Sequence, residues 1–172
     1  VAHSFVRFPS VTIPAGSTIS SAYVKFTAIG FNGNITVCNL NCHFEDSDNA
    51  VAPTSTTTFD ALSLTSAVAW DAVPVWTDDV QYDTPELKTI LQGVIDRGGW
   101  ASGQAVQIVV KDNGSDAGAE RRTSDIHYVA GAEKAELHVE WAENVNVSPT
   151  TATLTITPNA ANVNAEISFT TT

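Results

Sequence analysis

Three acids crowd one short stretch: Glu45, Asp46 and Asp48, in CHFEDSDNA. Carboxylates this close in a loop are the oxygen donors that calcium takes, together with carbonyls and waters. The stretch has no glycine and closing Glu at EF-hand spacing, so calcium is a candidate cofactor here and a solvated loop is the plainer alternative. Just upstream stand the only cysteines, Cys38 and Cys42. A structural zinc needs four ligands, and only His43 lies nearby, so sulfur-bound metal is poorly supported. Two arrangements remain open. In an extended strand, residues four apart lie about 13 Å from one another, while a disulfide needs about 5.5 Å. Bridging would therefore require a turn at Asn39–Asn41, which asparagine permits. The alternation of Cys38, Leu40, Cys42 and Phe44 favours two inward-facing thiols instead, whereas secretion would favour the bridge.

The four tryptophans, Trp70, Trp76, Trp100 and Trp141, are either platforms for the flat faces of sugars or core residues. Each lies beside apolar or strand residues, which favours the core. The histidines, His3, His43, His127 and His138, sit in no nucleophile-elbow or zinc-protease motif. Paired carboxylates for glycoside hydrolysis are defined by spatial separation, which a sequence does not carry. No catalytic constellation emerges, and the expectation is a protein that is not an enzyme. Arg121 and Arg122 are placed to pair with Asp125 or other acids. Asn34, Asn113 and Asn146 open Asn-X-Ser/Thr sequons, a number close to what chance supplies in a chain this rich in Ser and Thr.

The elements that would position these groups are mostly strands. Residues 19–29, ISSAYVKFTAI, alternate clearly: Ala22, Val24 and Phe26 share one face, and Tyr23, Lys25 and Thr27 the other. Residues 3–13 form a strand interrupted by proline, the cysteine segment another, and an acidic, Thr-rich connection runs from Glu45 to Phe59. A further strand is expected from Trp100 through AVQIVV, and two more from SDIHYVA and AELHVEW. One helix is signalled over about 85–97. Thr84 is its N-cap, Pro85 its first residue, and Leu87, Ile90, Leu91, Val94 and Ile95 its apolar stripe; Gly98-Gly99 ends it. The expected fold is all-β, a jelly-roll-like sandwich over residues 1–141 with one short helix.

Composition limits the partners. The 172 residues suffice for one sandwich with a core, and too few remain for a second full domain. Nineteen acids against 8 Lys and Arg give a net charge of -11. Nucleic acid and anionic lipid, which demand a basic patch, are disfavoured. Charged residues are only 16%, and Ser, Thr and Asn replace them, as on extracellular β proteins. No run approaches the roughly 20 apolar residues that would insert into a membrane. No leader-like segment opens the sequence, so secretion implies one already removed.

Residues 142–172 differ in kind. They contain no Lys or Arg, and Phe169 is their only aromatic residue. Ala152, Leu154 and Ile156 alternate with threonines, and Ala165, Ile167 and Phe169 alternate again, giving two amphipathic strands. An isolated hairpin of this kind is marginal in water, so something must cover its apolar face. The assembly candidates are Leu154, Ile156, Ile167 and Phe169.

The segments VRFPSVTIPAGSTISSAYVKFTA, EDSDNA, VAWDAVPVWTDD, TPELKTILQGVIDRGGWASGQAVQIVV, ERRTSD and AELHVEW occur in the order of a DNRLRE-type domain, which the chain resembles over about residues 3–141. The resemblance implies an extracellular β-sandwich module related to carbohydrate-binding jelly rolls. Such modules usually carry one more strand before the point where this chain starts, and the cysteine pair and the tail depart from their pattern. VNVSPTTATLTI resembles the opening strand of a bacterial immunoglobulin-like domain. Two functions follow as expectations. One is a cell-surface structural subunit, a polymer of itself in which the tail of one copy completes the sheet of the next. The other is a carbohydrate-binding or adhesive module of a larger secreted protein, with polysaccharide as its partner.

Overall fold

The computed structural model describes residues 4–29, 37–119, 121, 123 and 134–144. Seven strands occur among them: β1 (Ser4–Phe8), β2 (Thr18–Thr27), β3 (Leu40–Phe44), β4 (Val68–Trp70), β5 (Gln81–Asp83), β6 (Val106–Asp112) and β7 (Glu136–Ala142). Two helices, α1 (Thr56–Asp60) and α2 (Lys88–Ile95), complete the elements. The strands form two antiparallel sheets, β1-β6-β3-β4 and β5-β2-β7. The chain is an all-β sandwich: β1–β6, β6–β3 and β2–β7 are neighbours far apart in sequence, so the chain crosses repeatedly between layers.

Alternation builds the core between the layers. Ala22, Val24 and Phe26 of β2 and Cys42 and Phe44 of β3 face inward and are buried. β6 sits inside its sheet, and Val106 through Val109 are buried in an unbroken run, as a central strand covered on both faces requires. α2 contributes Ile90, Leu91, Val94 and Ile95 and touches β2 in one sheet and β3 in the other, closing one end of the sandwich.

The helix is shorter than its sequence signals promise. Its N-cap is Leu87, and Thr84 caps nothing. The Thr84 hydroxyl instead accepts a hydrogen bond from the Val24 amide at 3.0 Å. Glu86 accepts from the Ala22 amide at 2.7 Å and from Lys88 N–H at 2.9 Å. Further along, Gln92 accepts from Ile19 N–H at 2.7 Å and donates to the Ser17 carbonyl at 3.0 Å. β5 pairs only with Lys25–Thr27 of β2, and from Val24 back to Ser17 these side chains, together with the Thr84 and Leu87 amides on the Val24 and Ala22 carbonyls, supply the partners that a longer strand would. Residues that look like helix-start chemistry are thus used to finish a sheet edge.

Three further differences concern elements. α1 lies inside the expected connection and is fixed by a Ser55–Thr58 capping box. β5 has three residues, too few to show periodicity. Trp100 sits in a turn, its amide bonded to the Arg97 carbonyl at 3.0 Å, and the next strand begins only at Val106. The expected strand SDIHYVA lies outside the described residues, as do Leu154, Ile156, Ile167 and Phe169 of the tail.

Burial raises the Glu86 pKa, but hydrogen bonds from Ala22, Lys88 and Ser21, with the Lys88 charge, outweigh it and hold the carboxyl below its ordinary 4.5. A carboxyl depressed on folding stabilises the native state above its unfolded pKa. That contribution is lost as pH falls through the lower, folded value. Thermal melting followed from neutral pH downwards should show a loss below pH 4.5 that Glu86→Gln reduces, because the amide oxygen still accepts from Ala22 but no longer titrates. An identical acid profile for the variant would remove Glu86 from the account.

Candidate functional site

The three acids do not gather around one point. Asp46 and Asp48 both bind Arg97, at 2.5 Å from its Nη1 and 2.6 Å from its Nε. The guanidinium stands where a cation shared by the two aspartates would sit. Gly99 allows this approach: a Cβ there would lie 2.0 Å from Asp48 Oδ2. Glu45 is engaged elsewhere, accepting from Gln107 Nε2 at 3.2 Å. Burial raises its pKa, and the charge of Arg7 offsets this only in part. Among the described residues no three His, Cys, Asp or Glu side chains are grouped as a metal would need. The arrangement clamps the loop after β3 to the end of α2.

Cys38 and Cys42 are unbridged, buried thiols. Of the two arrangements open from sequence, the alternation of the strand describes the structure. Burial pushes the Cys42 thiol up to about 12, so it is inert as a nucleophile. His43 sits 2.9 Å from the Thr65 carbonyl through Nδ1, and His138 stacks on Tyr23 at 4.9 Å. Arg121 donates to the carbonyls of Val73 and Pro74. His3, His127, Arg122, Asp125, Asn34 and Asn146 lie outside the described residues.

The tryptophans divide three to one. Trp70, Trp76 and Trp100 are buried, while Trp141 is 42% exposed. Trp76 stacks on Tyr82 at 5.1 Å and lies 6.1 Å from Trp70, which in turn stacks on Phe26 at 6.4 Å. These separations suit favourable ring pairs. Because Trp70 comes from β4 and Tyr82 from β5, the aromatic stack seals the sandwich along that side.

Among the described residues the opposite side has no such stack. There the edge strands are β1 in one sheet and β7 in the other. Between β7 and the end of β1, with the segment that follows it, runs an apolar groove of about 250 Å³, lined by Phe8, Val11, Ile13, Leu137, Val139 and Trp141, with Thr12 as the one polar side chain. Leu137, Val139 and Trp141 are the inward-facing set of β7, yet none is fully buried. The volume falls below the ~300–1,000 Å³ of ordinary small-molecule sites. The lining carries no charge, no nucleophile and no acid–base pair, so it offers burial and not chemistry. No other described strand pairs with the outer edge of β7, which adds backbone donors and acceptors along the same line.

Alternation in AELHVEW does place Leu137, Val139 and Trp141 on one face. Whether that face is covered depends on β1, more than 120 residues away, and this is why the groove escapes a reading of the sequence. No helix among the described residues is long and apolar enough to cross a membrane. No protein-family model, curated protein or solved structure matches the chain.

Proposed function

We propose that this chain is a non-catalytic structural subunit of an extracellular or cell-surface assembly, joined to its neighbours by strands donated from residues 142–172. The observation that carries the reading is the contrast between the two sides of the sandwich. Among the described residues one is filled by aromatic rings, and the other leaves an apolar groove between β7 and the end of β1 with the segment after it. The tail supplies the complementary pattern, apolar side chains at every second residue, with threonines between them in 152–156 and Glu166 and Ser168 between them in 165–169. Each large apolar residue buried by docking contributes about 1.5–3 kcal/mol, and pairing with a strand edge fixes the register. A donor and an acceptor on different surfaces of one chain give an open polymer unless the rotation closes it. The likeness of residues 3–141 to DNRLRE-type modules fits an extracellular setting.

The test is to delete residues 144–172 and compare masses by light scattering. The full chain should form high-mass assemblies, and the truncated chain should remain folded and monomeric. A full chain that stays monomeric at high concentration would overturn the proposal in favour of a carbohydrate-binding or adhesive module.

A further inference from the structure

Resting on that reading, we infer that the occupant of the β1/β7 groove is Ala165–Phe169 of a second copy, and not the nearer segment Ala152–Ile156. The argument is one of reach. β7 ends at Ala142, at the Trp141 end of the groove, and the tail departs from there. Nine residues, 143–151, precede Ala152, and twenty-two, 143–164, precede Ala165. At full extension these linkers span about 30–35 Å and 75–80 Å respectively. A domain of this size has a diameter of roughly 35–40 Å. In an open head-to-tail polymer, equivalent points on successive subunits are separated by about one diameter. The first linker reaches at most the lower end of that distance even when stretched taut, while the second covers it at about half extension.

The chemistry agrees with the reach. Leu137, Val139 and Trp141 present three apolar side chains at a period of two, and Ala165, Ile167 and Phe169 present three at the same period. Phe169 brings a ring to a groove whose lining includes the rings of Phe8 and Trp141, where aromatic pairs gain beyond their buried area. The centres of the two triplets, Val139 and Ile167, meet whichever way the donor strand runs.

Mixed chains, each with one added cysteine, test this without ambiguity between self and neighbour. Val139→Cys chains are mixed with differently tagged Ile167→Cys chains, and separately with Leu154→Cys chains, then allowed to assemble and oxidise. The natural Cys38 and Cys42 are buried and leave the added thiols as the reactive pair. Cross-linked heterodimer from the Ile167→Cys mixture, with none above background from the Leu154→Cys mixture, is the expected result. Cross-linking through Leu154→Cys at an equal or greater yield would overturn the choice of donor and leave the assembly standing. High-mass assemblies with neither cross-link would overturn the groove as acceptor. Absence of assemblies from the unaltered chain would overturn the structural-subunit reading itself.

Discussion

Trp100→Ala is expected to destabilise the domain by about 3–5 kcal/mol, the usual cost of emptying a large aromatic site. Trp100 is 4% exposed, and its indole Nε1 donates to the Ile13 carbonyl at 3.0 Å. Alanine would leave a cavity beside the Leu87–Ile95 core and a buried carbonyl without its donor. The melting temperature should fall by roughly 6–20 °C for a chain of this length. Trp141→Ala is the informative partner. Its side chain stands at the rim of the groove, so in the isolated domain it should cost under about 1 kcal/mol, as surface changes usually do. Equal losses for the two variants in the truncated, monomeric domain would mean that the rim is covered within one chain, and the groove would cease to be an acceptor.

The second large effect concerns the edge of β2. Thr84→Val removes the acceptor of the Val24 amide while keeping the shape of the side chain, and Val24 is fully buried. A buried donor left unpaired costs about 1–3 kcal/mol. Gln92→Ala should cost a similar amount, because it orphans both Ile19 N–H and the Ser17 carbonyl. Val24 and Ile19 lie five residues apart along an extended strand, roughly 17 Å. The double variant should therefore equal the sum of the singles within about 0.5 kcal/mol. Urea unfolding of the three variants checks both the sizes and the additivity. Single variants within error of the parent would show that water replaces these side chains and that β2 needs no such completion.

What the sequence disclosed and what it hid follow from the range of the interactions. β2 was legible because alternation is local: Ala22, Val24 and Phe26, the face that alternation marks, are buried, although Thr27 of the other face is buried too. The apolar stripe of α2 was legible for the same reason. Thr84 misled because a threonine before Pro-Glu carries the chemistry of a helix start, and only the proximity of Val24 diverts its hydroxyl to a sheet. Asp46 and Asp48 looked like free oxygen donors because Arg97, their partner, is about fifty residues away. Leu137, Val139 and Trp141 were visible as a face, but their incomplete cover is a property of two strand edges meeting. The buried thiols were decided by periodicity, which is local, over the compartment argument, which is not structural.

The pairing of the earliest strands with the latest has a consequence for the chain during synthesis. Ala22 pairs with Val139, and Val6 with Ile108. Both early strands therefore leave the ribosome about a hundred residues before these partners exist, a delay of roughly 5–25 s at ordinary elongation rates. For most of that interval β2 has at most the three residues of β5 beside it, and neither layer can close. Folding must wait for nearly the whole domain to emerge, and the nascent chain depends on whatever holds it apart from its siblings until then.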